Sequence, residues 1–75
     1  MSDFKHVPKY PVQTLGKALD ILNYIKDNPS SEGISLTEIS SALQIGKSGV
    51  HRLLDTLMAY DFVEKINGVS PAYRL

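Results

Sequence analysis

The chain has 75 residues, no cysteine, 43% apolar residues and a formal net charge of zero. That length allows one small domain, near the lower limit for folding without a staple. Disulfides and thiolate metal sites are excluded, and His6 and His51 stand too far apart in sequence to suggest a zinc cluster, so no cofactor is expected. No apolar run is long enough for a membrane span or a signal peptide, which makes a cytoplasmic protein without a membrane partner the default expectation.

The zero total conceals an uneven distribution of charge. Counting Lys and Arg against Asp and Glu, residues 1–17 carry +2, 18–46 carry −3, 47–54 carry +2, 55–64 carry −3 and 65–75 carry +2. Affinity for phosphate depends on where cations cluster, so a neutral total is compatible with a nucleic-acid partner.

In chain order, residues 1–13 read as a flexible arm, because Pro8 and Pro11 disfavour helix and the apolar residues show no period. A helix is expected from Thr14, taken as its cap, to about Asp27, before Asn28-Pro29. Its apolar residues Leu15, Ala18, Leu19, Ile21, Leu22, Tyr24 and Ile25 cover an arc of about 220° at 100° per residue. A single packing surface needs less, so either the helix is deeply buried or Ile21 and Tyr24 pack on a second subunit. The second reading predicts a homodimer through this helix.

Residues 28–33 are loop by composition, and Ile34, with Gly33 or Ser35, can form a very short strand. Ser35 and Glu38 make an S-x-x-E capping box, which marks the start of the next helix. Leu36, Ile39 and Leu43 follow at helical spacing, and so do Val50, Leu53, Leu54 and Leu57 after a turn over Gln44–Gly46. Two short helices joined in this way form a helix-turn-helix, which projects its second helix for insertion into the major groove of DNA. Beyond Asp61, Phe62–Ile66 reads as a strand, Asn67-Gly68 as a turn and Ala72–Leu75 as the return strand. The expected fold is mainly α within the α+β class: a winged helix-turn-helix of three helices plus a C-terminal β-hairpin wing over residues 14–75.

These residues also carry a family likeness. Val12-Gln13-Thr14-Leu15, Lys17-Ala18-Leu19, Ser35-Leu36-Thr37-Glu38-Ile39 and Lys47-Ser48-x-Val50-His51-Arg52-Leu53-Leu54 resemble the N-terminal domain of IclR-type bacterial transcription regulators. Phe62-Val63-Glu64 and Tyr73-Arg74-Leu75 match that family's wing. The chain departs from the pattern at Gln44, where the family usually has glycine, at Gly46, where it has proline, and at Gly49, where it tends to threonine or serine. The resemblance implies a double-stranded DNA operator as partner. It also implies a small-molecule effector bound only by a larger C-terminal domain missing from these residues, as in a DNA-binding fragment or an unusually short relative.

With Val50 facing the core, Ser48, His51, Arg52, Asp55 and Thr56 fall on the outer face of the second helix. Arg52 suits a bidentate contact to guanine, Lys47 and Ser48 suit phosphates, and His51 suits either a base or a phosphate. Gly49 belongs to the same reading end. Lys17 at the start of the first helix, Thr37 at the start of the second and Lys65 in the wing are further candidates for the DNA backbone, and Lys5 and Lys9 of the arm for the minor groove. Each has the plain alternative of a solvated surface residue, and for Arg52 also an i, i+3 pair with Asp55.

Gly46-Lys47-Ser48 lacks the upstream glycine of a phosphate-binding loop, since position 41 is Ser41, and it follows a helix instead of a strand. His51 and Asp55 have no positioned nucleophile beside them, so no catalytic role is expected of the chain. The competing function is a winged helix that binds proteins, and its mark would be an exposed apolar patch on the outer face of the second helix.

Overall fold

A computed structural model of the protein describes residues 12–68 and 71–75. The expected arm lies, up to Pro11, outside the described residues, and with it Lys5 and Lys9.

Helix α1 spans Gln13–Asp27. It begins before Thr14, which lies within the first turn and caps nothing; Val12 holds the cap position with no side-chain bond, and its carbonyl accepts from Gly16 N–H at 3.0 Å. The stop is as expected. Asn28 turns its backbone N–H and its side-chain amide onto the Tyr24 carbonyl, at 3.1 and 2.9 Å, and Pro29 cannot continue the helix.

Strand β1 is only Ile34–Ser35, and it leads directly into α2, Leu36–Leu43. Ser35 Oγ accepts from the Glu38 N–H at 3.1 Å, which is half of the expected capping box. The Glu38 carboxylate instead accepts a hydrogen bond from the Tyr24 hydroxyl, at 2.9 Å, and so ties α2 to α1. That bond, burial and the carboxylate charge all raise the Tyr24 pKa and keep its hydroxyl protonated.

The turn into α3, Lys47–Ala59, is made by Gln44 in the left-handed region, with φ 55° and ψ 44°. A non-glycine residue there costs about 1 kcal/mol. The Ser40 carbonyl receives the Ile45 N–H at 3.2 Å, and the Ser40 hydroxyl donates to the Ile45 carbonyl, so the strained turn is held from both sides. Gly46 does not take over the conformational burden; its φ is −55° and it stands at the N-cap of α3. At the far end Asp61 is also left-handed, with φ 66°. The Asp61 and Phe62 N–H groups return to the Met58 and Leu57 carbonyls, the paired bonds of a Schellman motif.

Strands β2, Glu64–Ile66, and β3, Ala72–Arg74, form the hairpin. β2 is shorter than the sequence suggested, because Phe62 belongs to the helix-ending turn and remains exposed while Val63 enters the core. The sheet order is β1-β3-β2, both pairings antiparallel, with Ile34 opposite Tyr73 and Glu64 opposite Arg74. β3 is therefore the central strand, a placement absent from the sequence-based expectation.

The core draws on every element except β2: Ile21, Ile25, Ile34, Ile39, Val50, Leu54, Leu57, Val63 and Tyr73 form one buried cluster. Ile21, Ile39, Val50 and Leu54 are completely buried, each contributing about 2 kcal/mol by burial. The expected intersubunit role of Ile21 is thereby corrected, since none of its surface is left for a partner. Tyr24 is half-buried and engaged with Glu38. The exposed apolar edge of α1 is instead Leu15 and Leu19, preceded by Val12.

Gly33 fastens β1 to β3. Its φ is +82°, and a Cβ there would lie 2.8 Å from Ala72 Cβ and 3.0 Å from the Tyr73 nitrogen. Gly33→Ala therefore meets both backbone strain and a clash, and is expected to lower stability by about 2 kcal/mol or more in urea unfolding. An unchanged midpoint would show that this corner of the sheet yields freely.

Candidate nucleic-acid interface

Helix α3 buries Val50, Leu54 and Leu57 and leaves Lys47, Ser48, His51, Arg52, Asp55 and Thr56 exposed. The 3.6-residue period puts Ser48, His51, Arg52, Asp55 and Thr56 on the face opposite the buried residues, while Lys47 is exposed as the first residue of the helix. Because Val50 and Leu54 have no exposed surface, α3 is fixed about its own axis and the polar set is held outward.

Two open grooves flank this ridge. On the wing side Thr37, His51 and Lys65 converge with Pro71 and Tyr73. On the α1 side Thr14, Lys17, Gly49, Arg52 and Thr56 converge over Ile45 and Leu53. Six of the eight residues expected to meet DNA thus line the two grooves, three in each. Lys47 and Ser48 line neither of these grooves; they stand exposed on the first turn of α3. Sequence reasoning missed Thr14, Thr56, Pro71 and Tyr73 as groove walls. Thr14 was legible as a neighbour of Lys17, three residues away on the same helix.

The electrostatics sort the cations into two kinds. Arg74 pairs with Glu64 across the hairpin, and its guanidinium also donates to the Ser31 carbonyl at 3.1 Å. It is a structural residue, so the positive C-terminal block offers only Lys65 to a ligand. Among the described residues, Lys17, Lys47, Arg52 and Lys65 have no carboxylate partner. The i, i+3 pair considered between Arg52 and Asp55 does not form. Asp55 faces His51 instead, with Nδ1 to Oδ2 at 3.7 Å and both side chains largely exposed. Thr56 Oγ1 donates to the Arg52 carbonyl at 3.1 Å.

The model of the IclR helix-turn-helix domain matches residues 14–66. The chain belongs to this family. The match begins in the first turn of α1 and ends at the last residue of β2, so it covers all three helices and the first strand of the wing. An IclR helix-turn-helix is a DNA-binding domain of transcription regulators, and the observed three helices with a small antiparallel sheet are its winged form. No curated protein and no solved structure matches the chain. Among the described residues no helix is long and apolar enough to cross a membrane.

Tyr73 supports the wing-side groove of this IclR domain from below. Burial raises its pKa, and the negative charge of Asp55 raises it further. Its proton is held more tightly in the folded state, so this stabilisation is complete below pH ~10 and is lost as pH rises through the folded value. Thermal unfolding followed from pH 9 to 11.5 is expected to show a decline that Tyr73→Phe reduces. Identical pH profiles for the two proteins would exclude Tyr73 as its source.

Proposed function

We propose that this domain binds a specific double-stranded DNA operator, with α3 in the major groove and the wing along the backbone. The carrying observation is the ridge of α3 itself: a polar exposed face with four cations around it that have no carboxylate partner among the described residues. Arg52 reads a guanine through its two parallel donors, while Lys47 and Ser48 hold phosphate at the helix start. His51 adds a base or phosphate contact. Lys17, Thr37 and Lys65 hold the backbone on either side, and Gly49 lets the duplex approach closely. In this reading the fold carries the DNA contacts of a cytoplasmic regulator, and any effector response is assigned to another domain.

The protein-binding alternative has little support on this face. The large apolar residues that are most exposed, Val12, Leu15, Leu19, Tyr60, Phe62 and Leu75, all lie outside α3. Selection of bound sequences from random duplex DNA tests the reading directly. A motif should emerge, and affinity should fall as salt rises. Arg52→Ala is expected to lose about 1–3 kcal/mol of discrimination at one base pair. Lys47→Ala should weaken all sequences about equally and lower the salt slope by about one. Binding without a motif and without salt dependence would overturn the reading.

A homodimer through α1 is part of this reading, and the exposed edge of Leu15 and Leu19, which lie four residues apart on one face, supports it. Such a dimer would set two recognition helices about 34 Å apart on a roughly palindromic operator. Sedimentation at high concentration is expected to show dimers for the unaltered chain and monomers for Leu19→Glu; monomers in both cases would remove the dimer.

A further inference from the structure

The groove between α1 and α3 has two kinds of wall. Thr14, Lys17 and Arg52 form an exposed polar rim, while Ile45, Gly49 and Leu53 are partly exposed and give it an apolar floor. Gly49 is the member whose residue type the fold itself does not require. It sits inside α3, where glycine is a poor helix former, and its backbone is not in the left-handed region that would require it. Nor does the protein's own packing exclude a side chain. A Cβ at Gly49 would meet only Ile45 Cγ2, at 3.4 Å, an ordinary contact distance. The space above Gly49 therefore opens into the groove that Arg52 also lines.

We propose that this notch receives the C5-methyl group of a thymine adjacent to the guanine read by Arg52. The inference rests on the DNA reading given above and adds a base to it. The thymine methyl is the apolar group that base pairs present in the major groove, and it suits a floor of aliphatic side chains and bare helix backbone. Lys17 and Thr14 on the rim are placed for the phosphate of the same strand, matching cation to anion where the methyl matches the apolar floor. A side chain at position 49 would fill the place of the methyl. Gly49 is then a specificity-determining residue, its weakening of α3 offset by the contact it permits.

The test uses a duplex obtained by selection, with each thymine replaced singly by deoxyuridine, which removes the methyl and keeps the base pairing. Binding is measured at one fixed salt concentration. One thymine, next to the base pair whose preference Arg52→Ala relaxes, is expected to lose about fourfold in affinity on replacement, the scale of burying one carbon group. Gly49→Ala should fold with equal or higher thermal stability and bind the deoxyuridine and thymine duplexes alike. A scan in which no such thymine matters, with motif and salt dependence intact, overturns the notch and leaves the DNA reading standing. Equal losses in Gly49→Ala and the unaltered chain also overturn it. Failure to select any motif overturns both.

Discussion

Four side chains with no solvent exposure, Ile21 from α1, Ile39 from α2 and Val50 and Leu54 from α3, meet at the centre of the domain, and the remaining structure depends on their packing. A close-packed interior tolerates little rotation of the elements around it. Two contacts four residues apart on α3 fix that helix about its axis, and one each from α1 and α2 fix its position. The outward direction of Ser48, His51 and Arg52 is then a consequence of what lies on the opposite side. In this domain the binding face is set by the core.

Charge is distributed according to the same geometry. A chain of zero net charge presents cations because Glu64 is paired with Arg74 across the hairpin and Glu38 is engaged with Tyr24 between helices, while Asp55, on the α3 face itself, faces His51 and leaves Arg52 unpaired. Lys17, Lys47, Arg52 and Lys65 come from three different elements and from positions 17 to 65, yet they surround one helix face. Local potential above a groove depends on such convergence and hardly at all on the total. The two flanking grooves give each side of the ridge its own mixture: His51 with Lys65 and Thr37 on the wing side, and Arg52 with Lys17 on the α1 side.

Much of the fold was legible because its signals are local. The Ser35 cap, the turn over residues 44–46, the 3.6-residue periods and the stop at Asn28-Pro29 each act over a few residues, and each appears where the sequence points. The errors share a physical origin too. The width of the apolar arc of α1 allows a partner contact at Ile21 and Tyr24, whereas the core is centred on Ile21 and Ile25 and the uncovered edge is Leu15 and Leu19. Periodicity shows how wide an apolar stripe is, but it contains no information on which part faces the neighbouring elements. Arg74 belongs to a positive block in the sequence for a similar reason, since its pairing with Glu64 arises only from the register of β2 against β3.

By itself, then, the sequence determined the element types and their order, the turn between α2 and α3, the family, and the division of α3 into an apolar and a polar face. These follow from backbone conformation and side-chain spacing within single elements. Tertiary structure alone decided that β1 lies beside β3, which edge of α1 is covered, which cations are neutralised, and that Gly49 opens into a groove with Arg52 and Lys17. Each of those outcomes depends on contacts between residues far apart in the chain, and such contacts are set by packing volume and strand register.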